Sequence, residues 1–415
     1  MTDAIARGLV EVVLRRIREG ALDVHEPDGT HRRYGVGEST ACARVHSSLA
    51  WRRLLRGSLG MADAYAEGLW DSPDLVALIR LAARNAPALD RARLALRPLV
   101  GPVQLGRELV RAGGRRQRRR DVAAHYDLGN TLFARMLDPT MTYSCALFDT
   151  PDASLQEAQV AKLELVCRTL ELGPGDRVLE IGTGWGSFAL HAAATRGCHV
   201  TTTTISAEQH EYASRLVREA GLEDRVTVLA SDYRDLRGRY DKLVSLEMIE
   251  AVGWRRTGAF LRACCRLLTP EGAMLLQAIT IDDRAYDVEK SSRSFIKQRI
   301  FPGGSLPSLA SLRRDLARAT DFRLAGLLDL TPHYATTLRH WRERFAAHAP
   351  ELAALGYDEH FQRLWTFYLA YCEAGFAERR IEDVQLLLAR PGWGAGARDG
   401  RALASGPAGL RAVGA

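Results

Sequence analysis

No apolar run in the 415-residue sequence approaches the roughly 18 residues that a membrane-spanning helix needs, so none is expected. No secretory leader is expected either: Met1 to Gly20 carries Asp3, Glu11 and Glu19 among its arginines and has no apolar core. The seven cysteines show no disulfide-framework spacing, and the adjacent pair Cys264-Cys265 points to free thiols in a reducing compartment, the cytoplasm. There is no Gly-Lys-Ser/Thr to hold a triphosphate, which excludes a P-loop nucleotidase. Charge of one sign does not dominate, with 57 basic against 50 acidic residues and a net charge of +7. No internal repeat is present.

What charge excess there is falls locally. Arg111, Arg115, Arg116, Arg118, Arg119 and Arg120 lie within ten residues. This run reads either as a solvated interdomain connector or as an attraction to an anionic surface, membrane phosphate or nucleic acid. The length allows two domains or more. Residues 1–105 form a first, mostly helical unit with a small hairpin around Pro27-Asp-Gly29; 106–120 are a basic linker. From 121 to 390 strands and helices alternate, and the Gly-, Ala- and Arg-rich tail 391–415 is expected to be disordered.

Within that alternating region the expected strands are Arg177–Gly182, His199–Thr204, Arg225–Ala230, Lys242–Glu247 and Ala273–Ile279, with Pro270-Glu-Gly272 as the turn before the last. The rhythm predicts a parallel sheet with helical crossovers, an α/β fold of the Rossmann-like kind. Polar and basic residues over 280–330 interrupt it, and helices are expected over Thr336–His348 and Tyr357–Arg379. The run Val178-Leu-Glu-Ile-Gly-Thr-Gly-Trp-Gly186 is the first strand followed by a glycine turn that opens a helix. Gly182, Gly184 and Gly186 allow backbone angles closed to other residues and let a ligand approach the main chain. The spacing differs from the Gly-x-Gly-x-x-Gly dinucleotide fingerprint and resembles motif I of methyltransferases that use S-adenosylmethionine (SAM). The second strand ends in Thr204-Ile-Ser-Ala-Glu-Gln209 with no acid at its tip, so hydroxyl or amide groups must grip a ribose if one binds there.

Together these segments resemble the cyclopropane-fatty-acid synthases and their mycolic-acid and methylene-forming relatives, over about residues 50–390. The resemblance rests on His125-Tyr-Asp-Leu-Gly-Asn130, Asp138-Pro139, Tyr143-Ser-Cys145, the glycine turn, Asp232-Tyr-Arg-Asp235 and Met248-Ile-Glu-Ala-Val-Gly253. Further matches are Ile300-Phe-Pro-Gly-Gly304, His333-Tyr-Ala-Thr-Thr-Leu338 and Cys372-Glu-Ala-Gly-Phe376; Gly57-Ser-Leu-Gly60 with Gly68-Leu-Trp70 resembles the N-terminal domain of the longer bacterial members.

The resemblance implies a class I SAM methyltransferase sheet with helical insertions for the lipid. It implies transfer of the SAM methyl group to a cis double bond of an acyl chain. A carbocation results, and loss of a proton gives a cyclopropane or, after a hydride shift, an exocyclic methylene. The base implied is a bound bicarbonate, in a pocket formed by Cys145, Glu250, Tyr334 and the backbone near Ile279; Cys372 and Gln277 are implied with them. SAM contacts are implied for Tyr143, Ser144, Glu180, Gly182, Thr183, Gly184, Trp185, Gly186, Thr204, Ile205, Gln209, Asp232, Tyr233 and Arg234. The Ser294–Arg299 stretch and Phe301-Pro-Gly-Gly304 sit where the family builds its acyl channel.

The implied partners are unsaturated phospholipid at an anionic membrane, met from the cytoplasmic face, a second copy in a homodimer, and a reductase if the product is methylene. Acidic acyl carrier proteins are another source of acyl chains. Nucleic acid is not expected, because amino-methylating nucleic-acid enzymes carry Asn/Asp-Pro-Pro-Tyr/Phe where this chain has Glu247-Met-Ile-Glu250.

Two departures stand out. Thr183 replaces a cysteine common in the cyclopropane synthases. Gln277 replaces the histidine of the bicarbonate-binding members, and glutamine does not titrate near neutral pH. Both shift the expected product towards methylene. Without the family, Glu250 reads as a helix-start acid, Tyr334 as a packed aromatic, Cys145 as a small buried hydrophobe and Trp185 as core filler or a site wall. A non-catalytic SAM- or lipid-binding homologue and a methyltransferase on another substrate class are the other readings.

Overall fold

The computed structural model describes residues 2–87, 128–290 and 292–394. The basic run over 106–120, His125-Tyr-Asp127 and the tail after 394 lie outside the described residues. The chain divides into two units built from interleaved stretches. One combines the described residues up to 87 with Arg284–Pro302 and Ala335–Ile381; the other combines those from 128 to Asp283 with Gly303–Tyr334 and the described residues from Glu382.

In the first unit the hairpin around Pro27 is present. Strands β1 (Ala21–His25) and β2 (His31–Gly35) pair antiparallel, with His25 opposite His31. Gly29 takes φ +83°, which lets its N–H close the turn on the Glu26 carbonyl at 3.0 Å. With β3 (Ser39–Val45) and β4 (Trp70–Asp71) the hairpin makes a four-stranded sheet of order β2-β1-β3-β4. Helices Asp3–Leu14, Leu49–Leu54, Ser58–Ala66 and 75–87 account for most of the remaining N-terminal chain. The long helix Glu359–Ala377 belongs here too, and Arg363 donates from it to the carbonyls of Tyr65 and Trp70, at 2.7 and 3.2 Å.

The second unit is the expected α/β sheet. Strands β5 (Arg177–Ile181), β6 (His199–Thr203), β7 (Val226–Leu229), β8 (Tyr240–Leu246) and β9 (Leu268–Ile281) pair parallel with one another. Two further strands, β10 (Arg323–Asp329) and β11 (Ile381–Ala389), run antiparallel to each other and give the order β10-β11-β9-β8-β5-β6-β7. Neither follows from the alternation, because each comes after a helical stretch rather than a crossover between parallel strands. Period-two alternation buries both faces. Val178, Val244 and Leu275 pack with Leu163, Val166 and Phe188, whereas Leu179, Leu243 and Leu276 pack with Phe260, Leu261 and Leu312.

Pro270-Glu-Gly272 is not a turn. It lies inside β9, where the pairing with β8 slips between Tyr240 and Lys242. The Pro270 and Gly272 carbonyls accept N–H groups of Gly392 and Arg390, so this bulged stretch pairs with chain beyond β11.

The turn after β5 positions the site. Gly182 and Thr183 both donate their N–H groups to the Thr203 carbonyl at 3.1 Å, tying the turn to the end of β6. Gly182 sits at φ +104°, and a Cβ there meets Met248 at 3.1 Å. Gly182→Ala is therefore expected to cost about 1–3 kcal/mol through backbone strain and displacement of Met248. A thermal melt of the variant checks this, and an unchanged midpoint contradicts it.

Candidate active site: a buried acid cluster beyond the glycine turn

Where β8 ends, the chain turns sharply: Glu247 takes φ +48° and leads into the short 3-10 turn Ile249–Ala251. A non-glycine residue in the left-handed region is a strained choice that its surroundings must hold. They do so through the carboxylate. Its Oε1 accepts the Cys145 backbone N–H at 2.7 Å and the Gln277 amide at 2.7 Å, while Oε2 accepts the Tyr334 hydroxyl at 2.5 Å. Its own N–H donates to the Gln277 carbonyl at 3.0 Å.

Gln277, fully buried on β9, has its amide wholly committed. It donates to Glu247 and, at 2.9 Å, to Asp383 Oδ2, and its oxygen accepts the Gln385 amide at 3.0 Å. Asp383 and Gln385 stand two apart on β11, hence on one face of the strand. Asp383 Oδ1 is buried and has no hydrogen-bond partner among the described residues.

Glu250 is bound differently. Its Oε1 accepts the Ile279 N–H at 2.6 Å, and its Oε2 is buried with no hydrogen-bond partner among the described residues. Burial first, and then the charge of Glu247, push its pKa up to about 8. Burial likewise raises Asp383 well above the usual carboxylate range, with Glu247 and Glu250 adding to the shift. Glu247 is raised by burial too, but its Tyr334, Cys145 and Gln277 donors and the Lys162 charge all favour its ionised form.

Lys162 is the cation of this cluster. It is fully buried in helix Leu155–Thr169, and its Nζ donates to Ser144 Oγ at 2.7 Å. Burial lowers its pKa, and the charge of Glu247 does most to oppose that. One ammonium among three buried acids favours a single negative charge, and the donors place it on Glu247; Glu250, at about 8, holds its proton at pH 7, and Asp383 is pushed in the same direction. The unpartnered Glu250 oxygen then belongs to a carboxyl group able to donate a proton to an acceptor from outside the protein.

The second unit thus gathers Cys145, Gln277, Ile279, Glu250 and Tyr334, but through two acids. Tyr334 and the Cys145 backbone bind Glu247, and Ile279 binds Glu250. The Cys145 thiol is directed to the carbonyls of Ala146 and Leu330, at 3.3 and 3.6 Å. Cys372 belongs to helix Glu359–Ala377 of the first unit, where burial pushes its thiol up to about 12.

Sequence reasoning missed Glu247, Lys162, Asp383 and Gln385 as site residues. The available signals were polar residues at core positions. Lys162 follows Leu155, Ala158 and Gln159 on the buried stripe of its helix, and Asp383 and Gln385 interrupt the apolar run of β11.

Of the residues expected at SAM, Gly182 to Gly186, Thr204 to Gln209 and Asp232 to Arg234 follow the carboxyl ends of β5, β6 and β7, whereas Tyr143 and Ser144 precede the sheet and Ser144 accepts the Lys162 ammonium. Gly184 at φ +54° has nothing within 4 Å of where a Cβ would stand, so the turn keeps room for a ligand against its backbone. Glu180 does not reach into that room. It is buried on β5 and accepts the Thr202 hydroxyl at 2.6 Å, Thr202 in turn touching Thr183, and burial raises its pKa to about 8.

Trp185 packs on Phe133 at 4.8 Å and donates its indole N–H to Asn130 at 2.7 Å, and Phe133 meets Tyr143 edge-on at 5.3 Å. Thr204 donates to Gln209 Oε1 at 2.8 Å and accepts the Ser206 N–H at 3.1 Å, leaving the NH2 end of the Gln209 amide for an acceptor on a ligand. Ile205, between them, is half-buried. Asp232 caps the turn Tyr233–Asp235 and holds Arg234 in an ion pair, while Tyr233 rests edge-on against Phe260 at 5.2 Å. The polar donors, the glycine backbone and the aromatic walls are a set that fits a nucleoside bearing a charged amino-acid tail.

Comparison with known proteins gives the same picture. Residues 114–386 match the family model of the mycolic acid cyclopropane synthetases. The chain is 38% identical over 383 residues to the tuberculostearic acid methyltransferase UfaA1 of Mycobacterium tuberculosis, covering 90% of this chain and 84% of the relative. It is 36% identical over 364 residues to the cyclopropane-fatty-acyl-phospholipid synthase of Escherichia coli, covering 85% and 89%. Among solved structures, the mycolic acid cyclopropane synthase CmaA1 complexed with SAH and CTAB superimposes with a TM-score of 0.61 at 33% identity, covering 65% of this chain and 98% of that one.

Glu180 and Glu250 both hold protons at neutral pH that the unfolded chain, with carboxyls near 4.5, has released. Their contribution to stability is complete below that value and is lost as pH rises through about 8. The thermal midpoint is expected to fall as pH is raised across this window, and Glu180→Gln is expected to flatten the fall. A slope that is the same in the variant removes Glu180 from the account. Lys162→Met strips the cluster of its cation and is expected to cost about 3–5 kcal/mol, read from a denaturant melt; a loss under about 1 kcal/mol contradicts the charge assignment.

Proposed function

The chain belongs to the mycolic acid cyclopropane synthetase family, and from that premise we propose that it methylates the cis double bond of phospholipid acyl chains and releases a methylene-branched fatty acid. It is a SAM-dependent methyltransferase of the group that modifies lipid acyl chains. Bound SAM supplies an electrophilic methyl group on sulfur. The π electrons of the alkene would take that carbon while sulfur leaves with the bonding pair, and a cation would remain on the acyl chain. After a 1,2-hydride shift, loss of a proton from the new methyl group gives the methylene.

An alkene is a weak nucleophile, so the protein's task is positioning and exclusion of water. The observation that carries the site assignment is the buried, unpartnered Oε2 of Glu250 beside the Ile279 backbone. A neutral Glu250 there suits an anionic oxygen acceptor, and bicarbonate is the ion of that class that supplies a base. Glu250 would hold it, with Glu247 repelling a misplaced anion and fixing Tyr334 and the Cys145 backbone around it. The Glu250 carboxyl and the Tyr334 phenol are neutral, and the three donors on the Glu247 oxygens blunt that carboxylate as a nucleophile toward the cation.

The product assignment rests on Gln277. Its amide is fixed by Glu247, Asp383 and Gln385, so it takes no proton from the cation at this position. A relative at 38% identity whose name specifies methyl transfer rather than ring closure favours the same product. The action at a membrane, phospholipid as the acyl carrier, a dimer and a partner reductase belong to the same proposal.

Purified protein incubated with SAM and vesicles of a cis-monounsaturated phospholipid tests it. Proton NMR of the released fatty acids is expected to show vinylidene protons. High-field cyclopropane protons instead would refute the methylene assignment. Glu250→Gln is expected to lower turnover by about a hundredfold or more while SAM affinity, measured by calorimetry, stays the same. An unaltered rate removes Glu250 from the mechanism.

A further inference from the structure

Helix Asp3–Leu14 turns its most exposed aliphatic side chains outward. Its inward side holds the buried Ala6 and the half-buried Val10 and Leu14 together with charge: Arg7 pairs with Glu11 at 3.1 Å and with Glu26 at 2.9 Å, and Arg32 of β2 reaches Glu11 at 3.5 Å. Its outward side is apolar. Ile5, Leu9, Val12 and Val13 stand at helical spacing on one face and are 56%, 51%, 51% and 42% exposed, with Ala4 and Gly8 between them. A helix on an ordinary protein surface shows polar side chains to water and apolar ones to the core. Here the charged residues of the inward side are engaged in ion pairs within the unit, and the outward apolar side has no cover among the described residues. Just beyond the stripe come Arg15, Arg16 and Arg18, all exposed; Arg15 reaches Glu11 at 3.7 Å, yet its side chain stays 73% exposed.

We infer that this face seats the enzyme on an anionic lipid bilayer, with the aliphatic stripe at the boundary between headgroups and acyl chains and the three arginines at the phosphates. An apolar face followed by exposed cations is the charge and hydropathy pattern of a helix lying in a membrane interface. The size of the patch argues against a second copy of the chain. Twelve residues make a helix about 18 Å long, and one face of it falls well short of the roughly 800 Å² per partner that a stable dimer buries. The inference rests on the reading of phospholipid as substrate, and it names the surface through which that substrate is approached.

The test uses the full chain, with co-sedimentation on phosphatidylglycerol vesicles. Two variants are compared with the parent, Leu9→Ser/Val12→Ser and Arg15→Gln/Arg16→Gln, each checked for an unchanged thermal midpoint. Both are expected to bind vesicles at least tenfold more weakly, with the arginine variant's deficit disappearing at high salt. Both are expected to turn over detergent-dispersed phospholipid at the parent's rate. Parental vesicle binding by both variants overturns the inference. So does a change in mass by light scattering with vesicle binding intact, which assigns the stripe to a second copy. Should the serine variant not fold, the arginine variant alone decides. If the parent turns over no phospholipid in any form while the variants still lose vesicle binding, the substrate reading fails and the membrane surface stands.

Discussion

Three buried carboxyl groups share one buried ammonium, and the arrangement of the catalytic unit follows from how that imbalance is resolved. Ionising all three would leave two uncompensated charges in a low-dielectric interior, at a cost no hydrogen bond in the cluster offsets. The donors decide which acid carries the charge. Glu247 receives a backbone N–H, an amide and a phenol, while Glu250 receives a single N–H and keeps one oxygen unpartnered. Two acids three residues apart are thereby driven to different protonation states. That separation of roles is what a site handling a cation on an alkene requires: a fixed negative charge to hold the geometry and a neutral acid to hold an anion.

The fold supplies the pieces from distant parts of the sequence. Parallel strands β5, β6 and β8 end on the same side of the sheet, so the glycine turn, the Thr204–Gln209 segment and the Glu247–Glu250 turn converge there. Strand β11 brings Asp383 and Gln385 to Gln277 across more than a hundred residues of chain. Gln277 makes sense only within this set. A histidine in its place would have to share two acids and an amide, and would carry a charge that changes with pH. The amide donates both its hydrogens and accepts one bond, so it binds the same neighbours without titrating.

Much of this was legible in the sequence, for identifiable reasons. The parallel sheet could be read because its strands are short apolar runs separated by helices and punctuated by glycine turns. The motifs around Tyr143–Cys145, Gly182–Gly186 and Glu250 carried the family and its cofactor. Strands β10 and β11 escaped, since an antiparallel pair added after long insertions leaves no alternating rhythm to follow. Pro270-Glu-Gly272 misled because turn-forming residues also occur at a bulge in a strand. The role of Glu247 was hidden for a different cause: it depends on which donors surround it, and those come from separate segments of the chain. The outward aliphatic face of helix Asp3–Leu14 was equally invisible, because an amphipathic pattern does not say which side faces the protein.

Isotope-edited infrared difference spectroscopy of the ligand-free enzyme at pH 7, with labelled glutamate, tests the central assignment most directly. The account predicts a carbonyl stretch of neutral carboxylic acid that loses a component in Glu250→Gln and keeps that component in Glu247→Gln. The reverse result, a neutral-acid component lost only in Glu247→Gln, would contradict it, because Glu247 would then be the protonated acid and Glu250 the charged one.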